Sequence, residues 1–552
     1  MEKIEHIVYL MLENRSLDNV LGWLYKGKEC ANTWGAVPKG YKNGRFEGLH
    51  TGNYHNPVKK GGYLSVSGIQ PDDPSFQTIP SVDPHEEFAH VQKQIATVDG
   101  VTMGGFYEDF ATVKDADPKQ IMQCYTPESL PIINWLARNF AVSDAYFSSI
   151  PTQTNANRAF SLTGNSIGSW SHFNDKKGAR VNNEWKHSHE DGLDPFEFTE
   201  QTLFNVISQY CSDSDWGVFY SQLWADVTIK KWGVSTHYPG TYSFTLDLLW
   251  PYLKDYKDNF QPISQFFQMA AEGTLPKFSY LEPLWLTNGV KDGITIEGHN
   301  GNSYHPPADL APGEQLLHKL YTALKNSPKW ENTLLIINFD EHGGTYDHIV
   351  PPTGIKTPWD DPSDGTSEPK YKEANFTFDR LGVRVPLILV SPLINAKTVF
   401  RSPDVKNPFD HTSVIATILD WFKIPRKDWQ LGSRTANAET FGDIVQLKTP
   451  RTDIPAIPAP LPDQNSDVEF PPSDLQLMIA KRILARARVL HSYPKDKFQA
   501  HFGKHFKEFD TVSEMTEAIE KLLDLITNEA PEEPRKKTKG ASGGISRKSE
   551  TE

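Results

Sequence analysis

Two clusters of carboxylate and amide side chains follow buried, β-rich runs of this sequence. Glu13 and Asn14 come directly after the apolar run His6–Leu12, and Asp340 and Glu341 directly follow a second such run. In an open parallel sheet, ligands gather beyond the carboxyl ends of the strands. Carboxylates and an amide oxygen can hold a divalent cation, and without one the carboxylates would repel one another. The four residues are candidate metal ligands, although each cluster alone is also typical of a solvated loop.

A polar turn over residues 151–158 supplies hydroxyl groups, amides and one guanidinium. A threonine hydroxyl becomes a nucleophile when a metal ion or a base lowers its pKa, and Arg158 can bind phosphate through two parallel hydrogen bonds. Neither a G-x-S-x-G elbow with suitable partners nor a P-loop lysine motif occurs in the sequence. The alternative is an ordinary turn in which a threonine caps a helix.

The segment from His85 to His90 resembles the zinc-binding motif H-E-x-x-H but has a different spacing. That motif places its histidines at i and i+4, on one face of a helix. Here position i+4 is Ala89, and His90 at i+5 points away from that face on a continuous helix. We therefore expect no metal site of this type in the segment.

The elements that must position these residues alternate between strands and helices. The predicted buried strands are His6–Leu12, Thr333–Phe339 and Val383–Val390. Helical spacing predicts the helices Leu130–Phe140, Pro312–Asn326 and His411–Phe422. This alternation predicts an α/β fold with a mostly parallel central sheet between helices. Residues 35–76 show no clear hydrophobic period, so we expect a long loop over the surface there. Residues 166–260 also lack a clear hydrophobic period, and we expect an insertion there.

Composition changes near residue 449 and predicts a separate C-terminal region. Residues 449–472 hold many prolines, which is typical of a linker, and residues 473–527 contain two helical patterns. Residues 528–552 lack large apolar side chains and are expected to be disordered. The expected organisation is a large domain over 1–448, a Pro-rich linker, a small helical appendage and a tail.

Charge and hydropathy exclude several classes of partner. The chain of 552 residues carries a formal net charge of -14, which argues against a nucleic-acid partner. No apolar run approaches the ~20 residues of a membrane helix. Met1–His6 and the short run after it do not resemble a signal peptide, so the expected location is cytoplasmic, or exported without a cleaved leader. Three cysteines without a metal-binding spacing suit a reducing compartment.

Four blocks of the sequence, in order, resemble one known family. Glu13–Asp18 resembles E-N-R-S-F-D, and Thr154–Arg158 is similar to T-x-P-N-R. Asp340–His348 resembles D-E-x-G-G-x-x-D-H, and Gly382–Pro386 with Ser391–Pro392 resembles G-x-R-V-P followed by S-P. These motifs belong to the phosphoesterases that include non-haemolytic and non-specific phospholipases C and related acid phosphatases. The resemblance implies an alkaline-phosphatase-like three-layer fold for residues 1–448.

The resemblance also implies roles for particular side chains. Thr154 would be the nucleophile and would contact a metal ion held by the four ligands named above: Glu13, Asn14, Asp340 and Glu341. The catalytic histidines would be His305 and His85. Phosphate would be bound by Asn14, Arg158, His299 and His348. Two positions depart from the family pattern: Leu17 replaces a phenylalanine, and Ala156 replaces a proline, which makes Thr152 a rival nucleophile.

The function implied is a metal-dependent phospholipase C. It would hydrolyse a glycerophospholipid, with phosphatidylcholine favoured, to diacylglycerol and a phosphorylated head group through a phospho-threonine intermediate. Zinc is the favoured divalent metal, with calcium, magnesium, manganese and iron as alternatives. The partners are a phospholipid or a small phosphoester, with transient contact to a membrane surface, and the oligomeric state is open. Two alternatives remain: an acid phosphatase acting on phosphomonoesters, and an inactive relative that binds lipid or protein.

Overall fold

A computed structural model describes the chain from residue 1 to residue 528 with internal gaps. The residues left out are 27–29, 31, 60, 74–77, 171–178, 181–195, 222, 232–233, 242, 286–300, 360–375, 463–470, 506–508 and 529–552.

The strands of the described part form one large sheet and four small ones. In chain order they are β1 His6–Leu12, β2 Asn32–Trp34, β3 His55–Pro57, β4 Tyr63–Ser65, β5 Ser67–Ile69, β6 Gln123–Tyr125, β7 Ala141–Ser143, β8 Ile167–Trp170, β9 Ala179–Arg180, β10 Phe196–Phe198, β11 Trp216–Tyr220, β12 Leu223–Lys231, β13 Val234–Thr241, β14 Phe260–Pro262, β15 Phe278–Leu281, β16 Thr333–Phe339, β17 Leu387–Val390 and β18 Thr398–Phe400. The large sheet has nine strands in the order β14-β11-β15-β1-β16-β17-β7-β18-β2.

This sheet is parallel apart from β17, which runs antiparallel to both of its neighbours. All seven side chains of β1 and all seven of β16 are buried. Strands covered on both faces are expected to be apolar along their whole length rather than alternating, as these two are. The prediction of a mostly parallel central sheet is therefore confirmed.

Helices pack around the sheet through their apolar faces. In chain order they are α1 Leu17–Leu21, α2 Phe88–Gln94, α3 Phe106–Phe110, α4 Pro131–Asn139, α5 Thr154–Thr163, α6 Leu203–Tyr210, α7 Phe244–Leu248, α8 Trp250–Leu253, α9 Ile263–Glu272, α10 Ala311–Lys325, α11 His411–Trp421, α12 Gly432–Asn437, α13 Asp474–Leu490, α14 Lys495–His505 and α15 Val512–Asn528. The helix predicted over Pro312–Asn326 is α10, and its apolar side chains Leu317, Leu320 and Leu324 are buried in the core.

Three expectations about the elements need correction. The predicted strand Val383–Val390 is shorter, since pairing begins only at Leu387, after Pro386. The region 166–260 is not wholly an insertion, because β11 and β14 are strands of the central sheet. The C-terminal region contains a further helix, α14, whose weakly amphipathic sequence gave no clear period.

The C-terminal helices pack on the body of the protein. Leu475, Ile479 and Leu484 of α13 are buried in the same apolar core as the central sheet. Arg482 and Arg486 of this helix donate hydrogen bonds to the Asp247 carboxylate at 2.7 and 2.8 Å. The predicted helical appendage is therefore present, and it is joined to the large domain by buried charge as well as by apolar contacts.

No helix within the described ranges is long and apolar enough to cross a membrane. The three cysteines, Cys30, Cys124 and Cys211, form no disulfide bond.

Candidate active site

The two carboxylate clusters meet at one edge of the central sheet. Strands β1 and β16 are parallel neighbours, and Leu12 is paired with Phe339, so the residues after both strands emerge side by side. The backbone N–H of Asn14 donates to Oδ1 of Asp340 at 3.1 Å. Asn14 adopts the left-handed conformation, with φ of 53°, which asparagine tolerates better than most residues. The strand ends therefore bring the two clusters together, as the parallel-sheet argument predicted.

Thr154 stands directly against this cluster. It is the first residue of α5, where the helix N-terminus favours negative charge. Its hydroxyl donates to Oε2 of Glu13 at 3.1 Å and lies 3.3 Å from Oδ1 of Asn14. The hydroxyl of Thr152 is buried and has no hydrogen-bond partner within the described ranges. The geometry thus places Thr154, rather than Thr152, at the candidate ligands.

Arg158 lies behind the cluster and holds Glu13. Its Nε donates to Oε1 of Glu13 at 2.5 Å, and its other donors reach the carbonyl of Met11 and the hydroxyl of Tyr280 at 3.0 and 3.1 Å. The guanidinium also stacks on the ring of Trp285, with its carbon 4.6 Å from the ring centroid. In this arrangement Nε, Nη1 and Nη2 each contact protein atoms, and phosphate binding by Arg158 stays a prediction.

His305 approaches the cluster from the loop before α10. Its Nε2 lies 2.9 Å from Nδ2 of Asn14, and its Nδ1 donates to the carbonyl of Pro306 at 2.5 Å. Burial acts to lower the pKa of His305, but the carboxylates of Asp83 and Glu86 outweigh it and raise the pKa to about 10. The raised pKa favours the protonated form of the imidazole, which is the form that can donate a proton or stabilise charge on a phosphate.

Glu86 is a residue of this site that the sequence did not single out. Its Oε2 accepts a hydrogen bond from Nδ2 of Asn14 at 2.7 Å, and its Oε1 lies 3.7 Å from Nε2 of His305. Together, Asp83, Glu86 and His305 form a group with metal-ligating side chains. Side chains of consecutive residues in an extended segment point to opposite sides. If His85 and Glu87 face one side, Glu86 faces the other, and this alternation is the signal that could have identified Glu86.

The cluster contains buried oxygen atoms that lack a hydrogen-bond donor. Oδ2 of Asp340 and Oε1 of Glu341 are such atoms within the described part of the chain. Burial raises the pKa of Glu13 well above the usual value, and the nearby Asp340 carboxylate raises it further. Burial likewise raises the pKa of Glu341, and the carboxylates of Glu86 and Asp340 raise it further. A divalent cation satisfies such oxygen atoms and relieves their repulsion. The donor set of carboxylate, amide and hydroxyl oxygens therefore fits a divalent metal ion.

The remaining candidate histidines lie elsewhere. The ring of His85 packs on the ring of His90, with centroids 3.9 Å apart, and only its neighbour Glu86 reaches the cluster. His348 belongs to a second buried network, where its Nδ1 donates to Oδ2 of Asp18 at 2.5 Å. His299 lies outside the described residues. The structure thus brings Glu13, Asn14, Thr154, His305, Asp340 and Glu341 together, and it places His85 and His348 in other surroundings.

The N-terminus of α13 covers the site. The backbone N–H of Asp474 donates to Oδ2 of Asp83 at 2.9 Å, and the side-chain amide of Asn155 lies 2.8 Å from the sulfur of Met478. Between this helix and Thr154 the free space is about 10 Å³. A volume of that size holds about one water molecule.

Comparison with known proteins points to one family. Residues 4–425 match the phosphoesterase family. The chain is 31% identical to "Non-specific phospholipase C6" of Arabidopsis thaliana, over 82% of this chain and 74% of that protein. It is 28% identical to "Non-specific phospholipase C1" of the same organism, over 94% and 86% of the two chains. Among solved structures, a protein in the alkaline phosphatase superfamily from Vibrio parahaemolyticus aligns over 66% of this chain and 81% of that chain, at 9% identity and a TM-score of 0.27.

Proposed function

This chain belongs to the phosphoesterase family, and from that premise we propose that it is a metal-dependent phospholipase C that works through a phosphorylated threonine. Membership makes it a phosphoric ester hydrolase. The relatives named above carry the name of non-specific phospholipases C, which supports a glycerophospholipid substrate, and we take phosphatidylcholine as the first lipid to test.

A single observation carries the proposed chemistry. The hydroxyl of Thr154 donates to the Glu13 carboxylate at 3.1 Å, within the cluster whose Asp340 and Glu341 oxygens lack donors. A nucleophilic hydroxyl beside a carboxylate and a candidate metal site is the arrangement that threonine needs to attack phosphorus. Residues Glu13, Asn14, Thr154, Asp340 and Glu341 would hold the ion, with Glu86 as an added candidate.

When bound, a divalent ion, for which we propose zinc, supplies Lewis-acid stabilisation of charge on a phosphate oxygen. The chain's own groups then carry the proton transfers. The hydrogen bond to Oε2 of Glu13 directs the Thr154 proton toward that carboxylate and leaves a lone pair of Oγ1 free for attack. Attack forms the Oγ1–phosphorus bond and breaks the bond from phosphorus to the diacylglycerol oxygen.

His305 completes the first half of this cycle. Carboxylates raise its pKa to about 10 and so favour its protonated form, and we assign it the donation of a proton to the leaving alcohol. A water molecule then attacks phospho-Thr154, which releases the phosphorylated head group and restores the hydroxyl. We assign phosphate binding to Asn14 because its side chain contacts both Thr154 and His305.

The two threonines of the turn provide a matched test of the nucleophile. Thr154→Ala should lower kcat by about 10³-fold or more, because loss of a nucleophile removes the covalent route. Thr152→Ala, two residues away, should keep most of the activity. Both variants should retain the metal content of the unmodified protein. Full activity in Thr154→Ala, with loss in Thr152→Ala, would contradict the proposed assignment.

Two substrates distinguish the proposed enzyme from its alternatives. The purified protein would be assayed with phosphatidylcholine vesicles and with p-nitrophenyl phosphate, each with and without a chelator. We expect chelator-sensitive release of diacylglycerol and little action on the monoester. The opposite preference would support an acid phosphatase, and inactivity on both substrates with metal bound would support a binding relative.

We also propose that the catalytic unit extends past residue 448. Residues 1–448 contain the candidate ligands and Thr154, whereas α13 contributes Asp474, Leu475 and Met478 to the wall of the site. We take residues 449–472 as a connecting segment and the C-terminal helices as part of the enzyme's working surface. A chain that ends at residue 448 should consequently lose stability, because it exposes the core beneath α13.

A further inference from the structure

A second group of metal-ligating side chains lies beside the candidate active site. Ligand atoms of His85, Glu87 and His90 all lie within 4.8 Å of one another, and the two imidazole centroids are 3.9 Å apart. The side chains are partly exposed, at 29%, 18% and 23%. Two imidazoles and a carboxylate that can be reached from solvent are the donor set of many zinc sites.

The spacing argument excludes only an H-E-x-x-H site on one continuous helix, and this segment is not one helix. Helix α2 begins at Phe88, and Glu87 occupies its N-cap position with an extended backbone. His85 therefore precedes the helix and reaches back over its first turn, where His90 lies. The i and i+4 rule applies only along a continuous helix, so a histidine at i+5 can face His85 here.

His90 is held in the orientation that a metal ligand requires. Its Nδ1 donates to Oδ1 of Asp109 at 2.7 Å, which fixes the tautomer with the lone pair on Nε2. A carboxylate that orients a ligating histidine through its other nitrogen recurs in zinc sites. Asp109 is itself buried and accepts a second hydrogen bond from Nε2 of Gln94 at 2.9 Å. This carboxylate is therefore positioned independently of any ion.

His85 and Glu87 are available as the other two ligands. Nδ1 of His85 lies 3.9 Å from Oε2 of Glu87, and the Glu87 carboxylate makes no capping hydrogen bond to α2. A tetrahedral zinc ion with bonds of about 2.1 Å needs ligand atoms roughly 3.4 Å apart. Small rotations of partly exposed side chains can close the remaining gap.

We propose that His85, Glu87 and His90 bind a divalent transition-metal ion of the zinc type, at a site separate from the cluster around Thr154. Glu86 lies between two of the ligands and points into the candidate active site, so an ion here would fix the backbone that carries Glu86. A hydrogen-bonded path also joins the two sites, since Gln94 contacts both Asp109 and the ring of His342, which lies next to Glu341. The proposed metal site and its connection to the candidate active site do not depend on which substrate the enzyme hydrolyses.

The direct test counts bound zinc. Untagged, chelator-treated protein would be titrated with Zn²⁺ by calorimetry, and the zinc content would be measured by mass spectrometry after dialysis. The double variant His85→Gln/His90→Gln should bind one zinc ion fewer than the unmodified chain while keeping the remaining content. Replacement of His318, a partly buried histidine of α10, by glutamine is the matched control and should leave the count unchanged.

Asp109→Asn provides a second measurement that keeps all three ligands. Loss of an orienting carboxylate should weaken the peripheral site about 10- to 100-fold without removing it. Circular dichroism would establish that each variant is folded. The proposal is overturned if the folded double variant binds as many zinc ions as the unmodified protein, or if Asp109→Asn leaves every zinc affinity unchanged.

Discussion

Thr154 and Arg158 stand one helical turn apart on α5 and contact the two oxygens of one carboxylate. Thr154 donates to Oε2 of Glu13 at 3.1 Å, whereas Nε of Arg158 donates to Oε1 at 2.5 Å. Residues at i and i+4 share a face of a helix, so one element positions both groups. The role that this geometry gives Arg158 is to orient Glu13.

The role of Arg158 can be separated from direct phosphate binding by kinetics. Arg158→Gln leaves the Glu13 charge without its buried partner, so we expect kcat to fall about 100-fold with little change in KM, together with lower metal affinity. Lys329→Gln, which removes a solvent-exposed pair with Glu5, is the control and should be neutral. A large rise in KM with normal metal content would instead favour a phosphate contact.

Glu86 should control the basicity of His305. Glu86→Gln removes one of the carboxylates that raise the pKa of His305, so this pKa should fall from about 10. His305 would then lose its proton at a lower pH. Because the proposed proton donation needs protonated His305, the alkaline limb of the kcat profile should also move to lower pH. Measuring kcat from pH 6 to 10 checks this, with exposed Glu128→Gln as the control. An unchanged alkaline limb would remove His305 from the protonation step.

His348 should make stability depend on pH. Burial acts to lower the pKa of His348, but Asp18 and Glu47 outweigh it and raise the pKa to about 9. The stabilising contribution is therefore fully present below the unfolded value of about 6.5 and is lost as the pH rises through about 9. The pKa difference between the folded and unfolded states corresponds to about 3 kcal/mol in the free energy of unfolding. Urea denaturation at pH 6.5 and 9.5 measures it, and His348→Gln should remove most of the decrease.

Glu314 should stabilise a helix distant in the sequence. Its carboxylate accepts hydrogen bonds from the backbone N–H groups of Ile132 and Ile133, at 2.6 and 3.0 Å, in the first turn of α4. Glu314→Ala leaves these buried donors without a partner and should cost about 2–3 kcal/mol. Exposed Glu331→Ala should stay within about 0.5 kcal/mol. Equal denaturation midpoints for the two variants would contradict the capping role.

Asp247 should hold α13 over the site. Asp247→Asn leaves the buried guanidinium groups of Arg482 and Arg486 without their common partner, which should cost about 3–5 kcal/mol. We expect faster hydrogen exchange in α13 and faster tryptic cleavage after Lys481 and the arginines of this helix, with the central sheet unaffected. Asp255→Asn, at an exposed position, is the matched surface control. If exchange in α13 is unchanged, the apolar contacts alone hold the helix.

Much of the candidate site follows from the sequence. Strands His6–Leu12 and Thr333–Phe339 have the predicted bounds, because continuous apolar runs bounded by polar clusters mark strands buried on both faces. The parallel arrangement then requires Glu13, Asn14, Asp340 and Glu341 to share one edge of the sheet. The order of the four motifs likewise indicated the family that the comparisons support.

Only the tertiary structure decided which way the neighbouring side chains face. Helix α2 begins at Phe88, and this turns Glu86 rather than His85 toward Asn14. Arg158 contacts Glu13, and His348 contacts Asp18, because those carboxylates are the buried charges within their reach. Helix α13 packs next to Thr154 through the contact between Asn155 and Met478, which are more than 300 positions apart in the sequence. Local periodicity and motif spacing predict most of the strands and helices around the site, whereas contacts over such separations are set by packing of the folded core.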